Sequence, residues 1–312
     1  MNKVSQYITK IRTNDGDKQI DYKALANLPN SDTTLATPGA FADSKAVGDA
    51  LDNMLTKFSN PNLLINSDFR NPINQRGLSS YSYSGSEVMY TIDRWFMNYA
   101  SAIAVDNGYI TLTGNATTNN YWTQGFENTF SGTFTLSVSV KSITGGSGYA
   151  YASNNNGSTE RLQLSAGVNS LTFSMNNLCK VGFCSLKTGM KANIEWIKLE
   201  YGTTATQFVP RQYAEELMLC QRYYRRVYIT PMIGSSSTST TYMLPVQFAP
   251  PMIEGYTVTL KEAFDSNMTV QSGVNLVKVT GGAYNTRTIQ LSKTVGQYGF
   301  VTLVFDSEIY DI

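Results

Sequence analysis

Apolar and polar positions change rhythm several times along the chain. Val47, Leu51, Met54 and Phe58 recur at steps of four, three and four residues, the seam of a short coiled coil. Thr37-Pro38 supplies an N-cap and a first helical residue, so the pattern predicts a helix to about Phe58. A helix this short is marginal alone, because nucleation costs more than its few hydrogen bonds return. It needs a partner, either copies of itself or the domain that follows. Upstream, the turn signal Asn14-Asp15-Gly16-Asp17 leads into Lys18-Gln19-Ile20-Asp21-Tyr22, which reads as a strand.

After Asn60-Pro61-Asn62 the period becomes two. Tyr109–Thr113, Leu162–Leu164, Ser170–Ser174 and Ala192–Glu200 alternate, and Thr133–Val140 alternates strictly, so one face is expected buried and the other wet. Short strands separated by Gly, Asn and Ser clusters predict an all-β sandwich. The helical period returns in Arg211–Arg226. Pro210 starts this segment, acids lie in its first turns and bases in its last, and Pro231 ends it. Tyr213, Leu217, Cys220 and Tyr224 form a second seam, and Arg222, Arg225 and Arg226 read as a solvated helix end. Beyond it, Tyr256–Leu260, Leu276–Thr280, Arg287–Leu291 and Phe300–Phe305 are strand candidates in a small β-domain with exposed edges. The pattern predicts a mainly β chain: a helical stalk over 1–60, a sandwich over 61–209, a connecting helix over 210–231 and a C-terminal β-domain over 232–312. Copies packed around one axis would cover the seams Val47, Leu51, Met54, Phe58, Leu217 and Tyr224.

Composition narrows the chemistry. The 24 Lys and Arg against 23 Asp and Glu leave a net charge of +1, without the clustered basic face that counterion release on nucleic acid needs. Between Met97 and Ile194 the only carboxylates are Asp106, Glu127 and Glu160. The surface there is amide, hydroxyl and phenol, which suits a neutral, hydroxyl-rich ligand or simply a secreted β-protein. Histidine is absent, which removes Ser–His and Cys–His nucleophiles and His-based zinc sites. The three cysteines, Cys179, Cys184 and Cys220, lack disulfide or thiolate-metal spacing and read as small apolar fillers. No cofactor is expected; no EF-hand-like spacing marks a metal site, though Asp and backbone oxygens could hold a structural Ca²⁺ in a fold of this type. The N-terminus has no apolar signal core, and no stretch approaches the ~20 apolar residues of a bilayer span. The expectation is a protein made in a bacterial cytoplasm, without membrane insertion, and carried outward by lysis or a particle.

The aromatic residues supply the candidate binding positions. Tyr121-Trp122 follows Asn119-Asn120, where rings can stack on a sugar while amides bond its hydroxyls, or can simply be structural. Tyr149 and Tyr151, leading to Asn154 in a turn, are candidates of the same kind, and Tyr81 and Tyr83 weaker ones. Trp95 is expected in the core, with Asp93 and Arg94 as a structural ion pair. Trp196 belongs either to a binding face or to a core. Glu87, Asp93, Glu127, Glu160 and Glu195 are carboxylates, but no spacing pairs them as a glycosidase requires.

Several segments resemble known sequences. Asn62–Phe69, Asn74-Gln75-Arg76-Gly77 and Tyr90–Met97 are similar to the opening of a jelly-roll domain, of carbohydrate-binding-module type, in phage and prophage tail fibres. Ile197–Phe208, Pro210–Leu217 and Cys220–Tyr224 resemble its closing stretch, with Gln207 where the family commonly has Pro. Asp17–Pro29 and Gly39–Leu51 resemble linkers of tail-fibre and baseplate proteins, and 232–312 resembles a variable distal region in pattern only. The resemblance implies a homotrimeric receptor-binding fibre on a virion tail or tail-like particle. It would attach through its N-terminus to other tail or baseplate proteins and bind bacterial cell-surface polysaccharide. The expected protein is not an enzyme. The alternatives are a structural connector between tail parts and a glycan-degrading tailspike. Tyr121, Trp122, Tyr149, Tyr151 and Asn154 are the glycan-binding positions expected.

Overall fold

The computed structural model describes residues 10–13, 16–19, 44–57, 59–83, 88–98, 101–114, 120–229, 233–234, 240–244, 252, 256–264, 269–270, 276–281, 287–291 and 300–308. The chain divides into two compact units, Met1–Phe58 and Ser59–Ile312.

In the first unit, β1 (Lys10–Thr13) and β2 (Gly16–Gln19) form an antiparallel hairpin. The strand after the turn therefore begins two residues before the predicted one. A helix spans Ser44–Lys57. Its Val47 and Leu51 are 38 % and 55 % exposed. The side chains of Met54 and Phe58, and residues 37–43, lie outside the described residues.

The second unit is mainly antiparallel β. Its largest sheet joins β3 (Ser80–Tyr83), β4 (Met89–Tyr90), β5 (Phe96–Asn98), β6 (Ser101–Asp106), β7 (Tyr109–Gly114), β8 (Tyr121–Thr144), β9 (Tyr149–Asn154), β10 (Thr159–Gln163), β11 (Gly167–Cys184) and β12 (Lys191–Tyr201) in the order β10-β9-β11-β8-β12-β7-β6-β3, with β4 and β5 at the side of β8. The long strands β8 and β11 each serve two halves. Tyr121–Gly125 pairs with Lys180–Cys184, and Gly132–Val140 with Gly167–Met175. Between these stretches the register shifts at Met175/Leu178, beside Gly132 (φ 148°) and Asn177 (φ 56°). Bulges and left-handed residues of this kind let one strand pass from one layer to another. Both halves contribute to one core: Trp122, Phe183 and Ala150 from one, Leu136, Val138, Leu112 and Ile194 from the other. This is the packing of a β-sandwich.

The strict alternation of Thr133–Val140 places Phe134, Leu136, Val138 and Val140 in that core as expected. The opposite face, however, is not wet. Thr135, Ser137 and Ser139 are also buried; the segment after β12 meets Thr135, and Glu195 of β12 meets Ser139. Thr135 donates to the Gly202 carbonyl, and Lys198 Nζ, 1 % exposed, binds Glu200 (3.1 Å), Thr206 and the Gln207 carbonyl. Thr135 and Ser139 find partners under this cover, Ser139 on Glu195, while Ser137 Oγ has none; alternation alone did not distinguish a covered polar face from a solvated one.

The connecting helix is shorter than its pattern predicts. It spans Tyr213–Cys220, and β13 occupies Tyr224–Ile229. Tyr224 therefore lies in a strand, 5 % exposed, against Asp306, and cannot form a seam between copies. Leu217 is half-buried. The three arginines are not a solvated helix end either: Arg225 is 8 % exposed, while Arg222 pairs with Glu127 and Arg226 with Glu262. Tyr, Val and Ile in Tyr224–Ile229 favour a pleated surface, and pairing with a distant strand decides the matter. Downstream, β14 (Ile233–Gly234), β15 (Thr240–Leu244), β17 (Leu276–Gly281) and β18 (Arg287–Leu291) form one sheet in the order β14-β15-β18-β17. A second sheet, in the order β13-β19-β16, adds β16 (Thr257–Phe264) and β19 (Phe300–Asp306) to β13. The predicted C-terminal strands all occur.

A buried ionic cluster ties the β13-β19-β16 sheet to the sandwich. Asp93 and Arg94 do not pair with each other, contrary to expectation. Arg94, at φ 73°, donates from its backbone N and from Nη1 to Glu308, both at 3.0 Å, and from Nη2 to the Gly125 carbonyl, with its guanidinium 3.5 Å above the Tyr223 ring. Asp93 accepts from the backbone N and Nε2 of Gln75 and faces Arg76 at 3.7 Å. Burial pushes the Asp93 carboxyl up to about 7 despite Arg76 and Gln75.

Candidate functional site: an aromatic row on the sandwich

On β8, β9 and β11 the inward residues are Trp122, Ala150 and Phe183, so their neighbours point outward. The outward residues fall in register. One row runs Gln163, Tyr149, Cys184, Tyr121, Asn98 across β10, β9, β11, β8 and β5. The next runs Arg161, Tyr151, Gly182, Thr123, Phe96. Tyr121 and Tyr149 are half-buried, and Gln163 and Arg161 exposed. The two tyrosines stand two strand spacings apart, about 10 Å.

Gly182 makes the second row possible. A Cβ there would meet the Trp122 carbonyl oxygen at 2.3 Å and Thr123 Cα at 2.5 Å. Across this gap Tyr151 reaches Thr123 and donates to its Oγ1 at 3.0 Å. Tyr151 is 5 % exposed, and burial holds its phenol protonated far above the ordinary tyrosine range. Cys184, between Tyr121 and Tyr149, is also buried, which raises its thiol; all three cysteines are buried and free.

Of the five positions expected to bind glycan, the row brings two together. Trp122 is fully buried. It stacks on Phe183 at 5.7 Å, lies 4.7 Å from Trp95, and donates from Nε1 to Thr91, so no ring face is free for a sugar. Tyr151 offers a covered edge rather than a platform. Asn154 closes the β9–β10 turn: its Oδ1 accepts from the backbone N of Asn156 and of Ser158, at 3.0 and 2.8 Å. Tyr121 and Tyr149 remain as an accessible pair. Sequence reasoning missed Arg161 and Gln163, whose alternation on β10 is the signal that would have found them. Trp95 is core as expected. Trp196 lies outside the main core, half-buried beneath Phe208 at 4.7 Å with nearly parallel rings, and Arg70 caps Phe208 at 5.5 Å. Tyr81 is buried, with its hydroxyl on Asn74.

No family model and no curated protein matches the chain. Among solved structures it is similar to one described as "CBM4 structure and function", at 14 % identity and TM-score 0.27, over 43 % of this chain and 97 % of that one. A cycloisomaltooligosaccharide glucanotransferase of Paenibacillus, complexed with cycloisomaltoheptaose, is similar at 10 % identity and TM-score 0.23, over 77 % of this chain and 46 % of the enzyme. A variant of Bacillus subtilis oxalate decarboxylase follows at 9 % and 0.15, over 77 % and 79 %. Likeness this slight carries no argument about function, which rests on the residues.

Those residues can stack on and hydrogen-bond a ring-shaped, hydroxyl-rich ligand. Neither row holds a carboxylate. Among the described residues no three acidic or thiol side chains converge as a metal site, and no helix is long and apolar enough to cross a membrane.

Proposed function

We propose that this chain is a receptor-binding fibre component of a phage or phage-tail-like particle, which holds bacterial cell-surface glycan on the Tyr149–Cys184–Tyr121 row without cutting it. The observation that carries this reading is the pair of half-buried tyrosines in one cross-strand row, about 10 Å apart, flanked by Arg161 and Gln163. The resemblance of the opening and closing segments to tail-fibre jelly rolls supports the placement on a particle. Glycoside hydrolysis needs two carboxyl groups facing the scissile bond, and the rows provide none; this supports binding without cleavage. Exposed Val47 and Leu51 on the Ser44–Lys57 helix support a homotrimer joined through that helix, with the N-terminal segment meeting other tail proteins.

The test is a glycan array followed by titration of the best ligand, using the parent, Tyr121→Ala and Tyr149→Ala. Each stacked ring contributes roughly 1 kcal/mol, so removing both weakens binding about tenfold or more, with the thermal melt unchanged. Affinity that survives both substitutions overturns the assignment of the site. Light scattering of the parent and of Leu51→Asp checks assembly, and a monomeric parent rejects the trimer. A connector role is the second reading, favoured by the structural use of Trp122, Tyr151 and Asn154. A protein that assembles on tails yet decorates no susceptible cells would establish it.

A further inference from the structure

A second opening lies away from the sandwich rows. It is a cleft of about 460 Å³ where the outward face of β13, β19 and β16 meets the Arg76–Leu78 loop. Ligand pockets usually fall between roughly 300 and 1,000 Å³, so one sugar unit with substituents fits. Register explains its lining. Tyr224, Asp306 and Thr257 form one cross-strand row, and Arg226, Val304 and Thr259 the next. An irregularity between Leu260 and Glu262 then puts both Lys261 and Glu262 along the cleft.

The charges are not evenly matched. Arg76, Arg226 and Lys261 line the cleft with Glu262 and Asp306; Arg76 is also matched from behind by Asp93 at 3.7 Å and Glu308 at 3.6 Å, so Lys261 carries the surplus positive charge in the cleft. Each carboxylate already has a guanidinium partner: Asp306 lies 3.6 Å from Arg76, and Glu262 lies 3.4 Å from Arg226. Arg76 is stacked on the Tyr224 ring at 3.8 Å and closes the floor. Lys261 is exposed and makes no ion pair among the described residues. The Arg226–Glu262 pair is partly exposed, with side chains 33 % and 43 % accessible, so it can be exchanged for a better partner at small cost. Thr257 and Thr259, both exposed, add hydroxyls, and Leu78, 56 % exposed, adds an apolar wall.

The geometry points to a second binding site, distinct from the tyrosine row, that takes an acidic saccharide unit. Its anionic group sits between Lys261 and Arg226, its hydroxyls on Thr257, Thr259 and Glu262, and its apolar edge on Leu78. A carboxylate on a sugar ring and a phosphate on a polyol share this chemistry, and either satisfies the cations.

The experiment titrates the full chain with glucuronate, glycerol phosphate and glucose, followed by heteronuclear NMR shifts or calorimetry. At least one anion binds in the millimolar range, and glucose does not. Glucuronate alone identifies a carboxylate ligand, glycerol phosphate alone a phosphate ligand, and both a site that reads charge. Lys261→Gln and Arg226→Gln each weaken the anion about fivefold, the size of one partly solvated charge-assisted hydrogen bond. Tyr121→Ala leaves it unchanged. The inference is overturned if neither anion binds, if glucose binds as well as they do, if both cleft variants retain parental affinity, or if Tyr121→Ala abolishes anion binding. Because the tyrosine row is tested with neutral glycan and different variants, either site can fail alone.

Discussion

Replacing Glu308 by Ala tests whether the buried cluster holds the C-terminal sheet on the sandwich. Arg94 and Glu308 are 2 % and 0 % exposed and meet at 3.0 Å. Glu308 also accepts the Arg94 backbone N–H and lies 3.6 Å from Arg76. Removing the carboxylate strands a guanidinium that water does not reach, with its Nε already lacking a hydrogen bond. Breaking a buried pair from one side costs about 3–5 kcal/mol, most of it the penalty of the orphaned charge. Arg94→Met with Glu308→Leu removes both charges, so it recovers about 2 kcal/mol or more of that loss. Recovery stays incomplete because the Arg94 N–H still lacks its acceptor. Urea unfolding of the parent, Arg94→Met, Glu308→Leu and their double variant closes the cycle, with Glu308→Ala measured beside it. Limited proteolysis should cut Glu308→Ala first within the β13-β19-β16 sheet. The reasoning fails if Glu308→Ala stays within about 1 kcal/mol of the parent, or if the double variant is no more stable than either single one.

Two further outcomes follow from the same unit. Asp93 titrates near 7 in the fold because of burial, against 3.8 for the free group, so the native state binds its proton more tightly than the unfolded chain. That contribution is complete below about pH 4 and is lost as pH rises through about 7, by up to ~1.4 kcal/mol per unit. Unfolding free energies from about pH 5 to about pH 8 should therefore fall in the parent relative to Asp93→Asn, and parallel profiles would contradict this. Gly182→Ala drives a Cβ into the backbone at Trp122 and Thr123, where no flexible side chain can yield. It should cost about 3 kcal/mol in a thermal melt; a neutral result would mean that β8 and β11 separate more easily than their register implies.

What could be read from the residues, and what could not, differs by one physical criterion: whether the deciding partner is near in sequence. Alternation located β7, β11, β12 and the C-terminal strands β16, β17, β18 and β19, because a strand's two faces are written into its own residues. The helical reading of Arg211–Arg226 used equally good spacing, yet it failed after Cys220, since Tyr224–Ile229 is held by pairing with Phe300–Asp306, more than seventy residues away. The same criterion explains the site. Tyr121 and Trp122 look interchangeable in Asn119–Gln124, and a register slip of one residue would exchange them. Only the pairing of Trp122 with Phe183, and of Tyr121 with Cys184, sends the tryptophan into the core and the tyrosine out. Arg94 meets a carboxylate 214 positions downstream, so its apparent partner, the adjacent Asp93, was an accident of proximity along the chain. The aromatic row and the cleft are both built from cross-strand rows rather than local motifs. Binding positions in such a fold belong to registers, and substituting one aromatic residue without knowing its phase would as readily damage the core as the site.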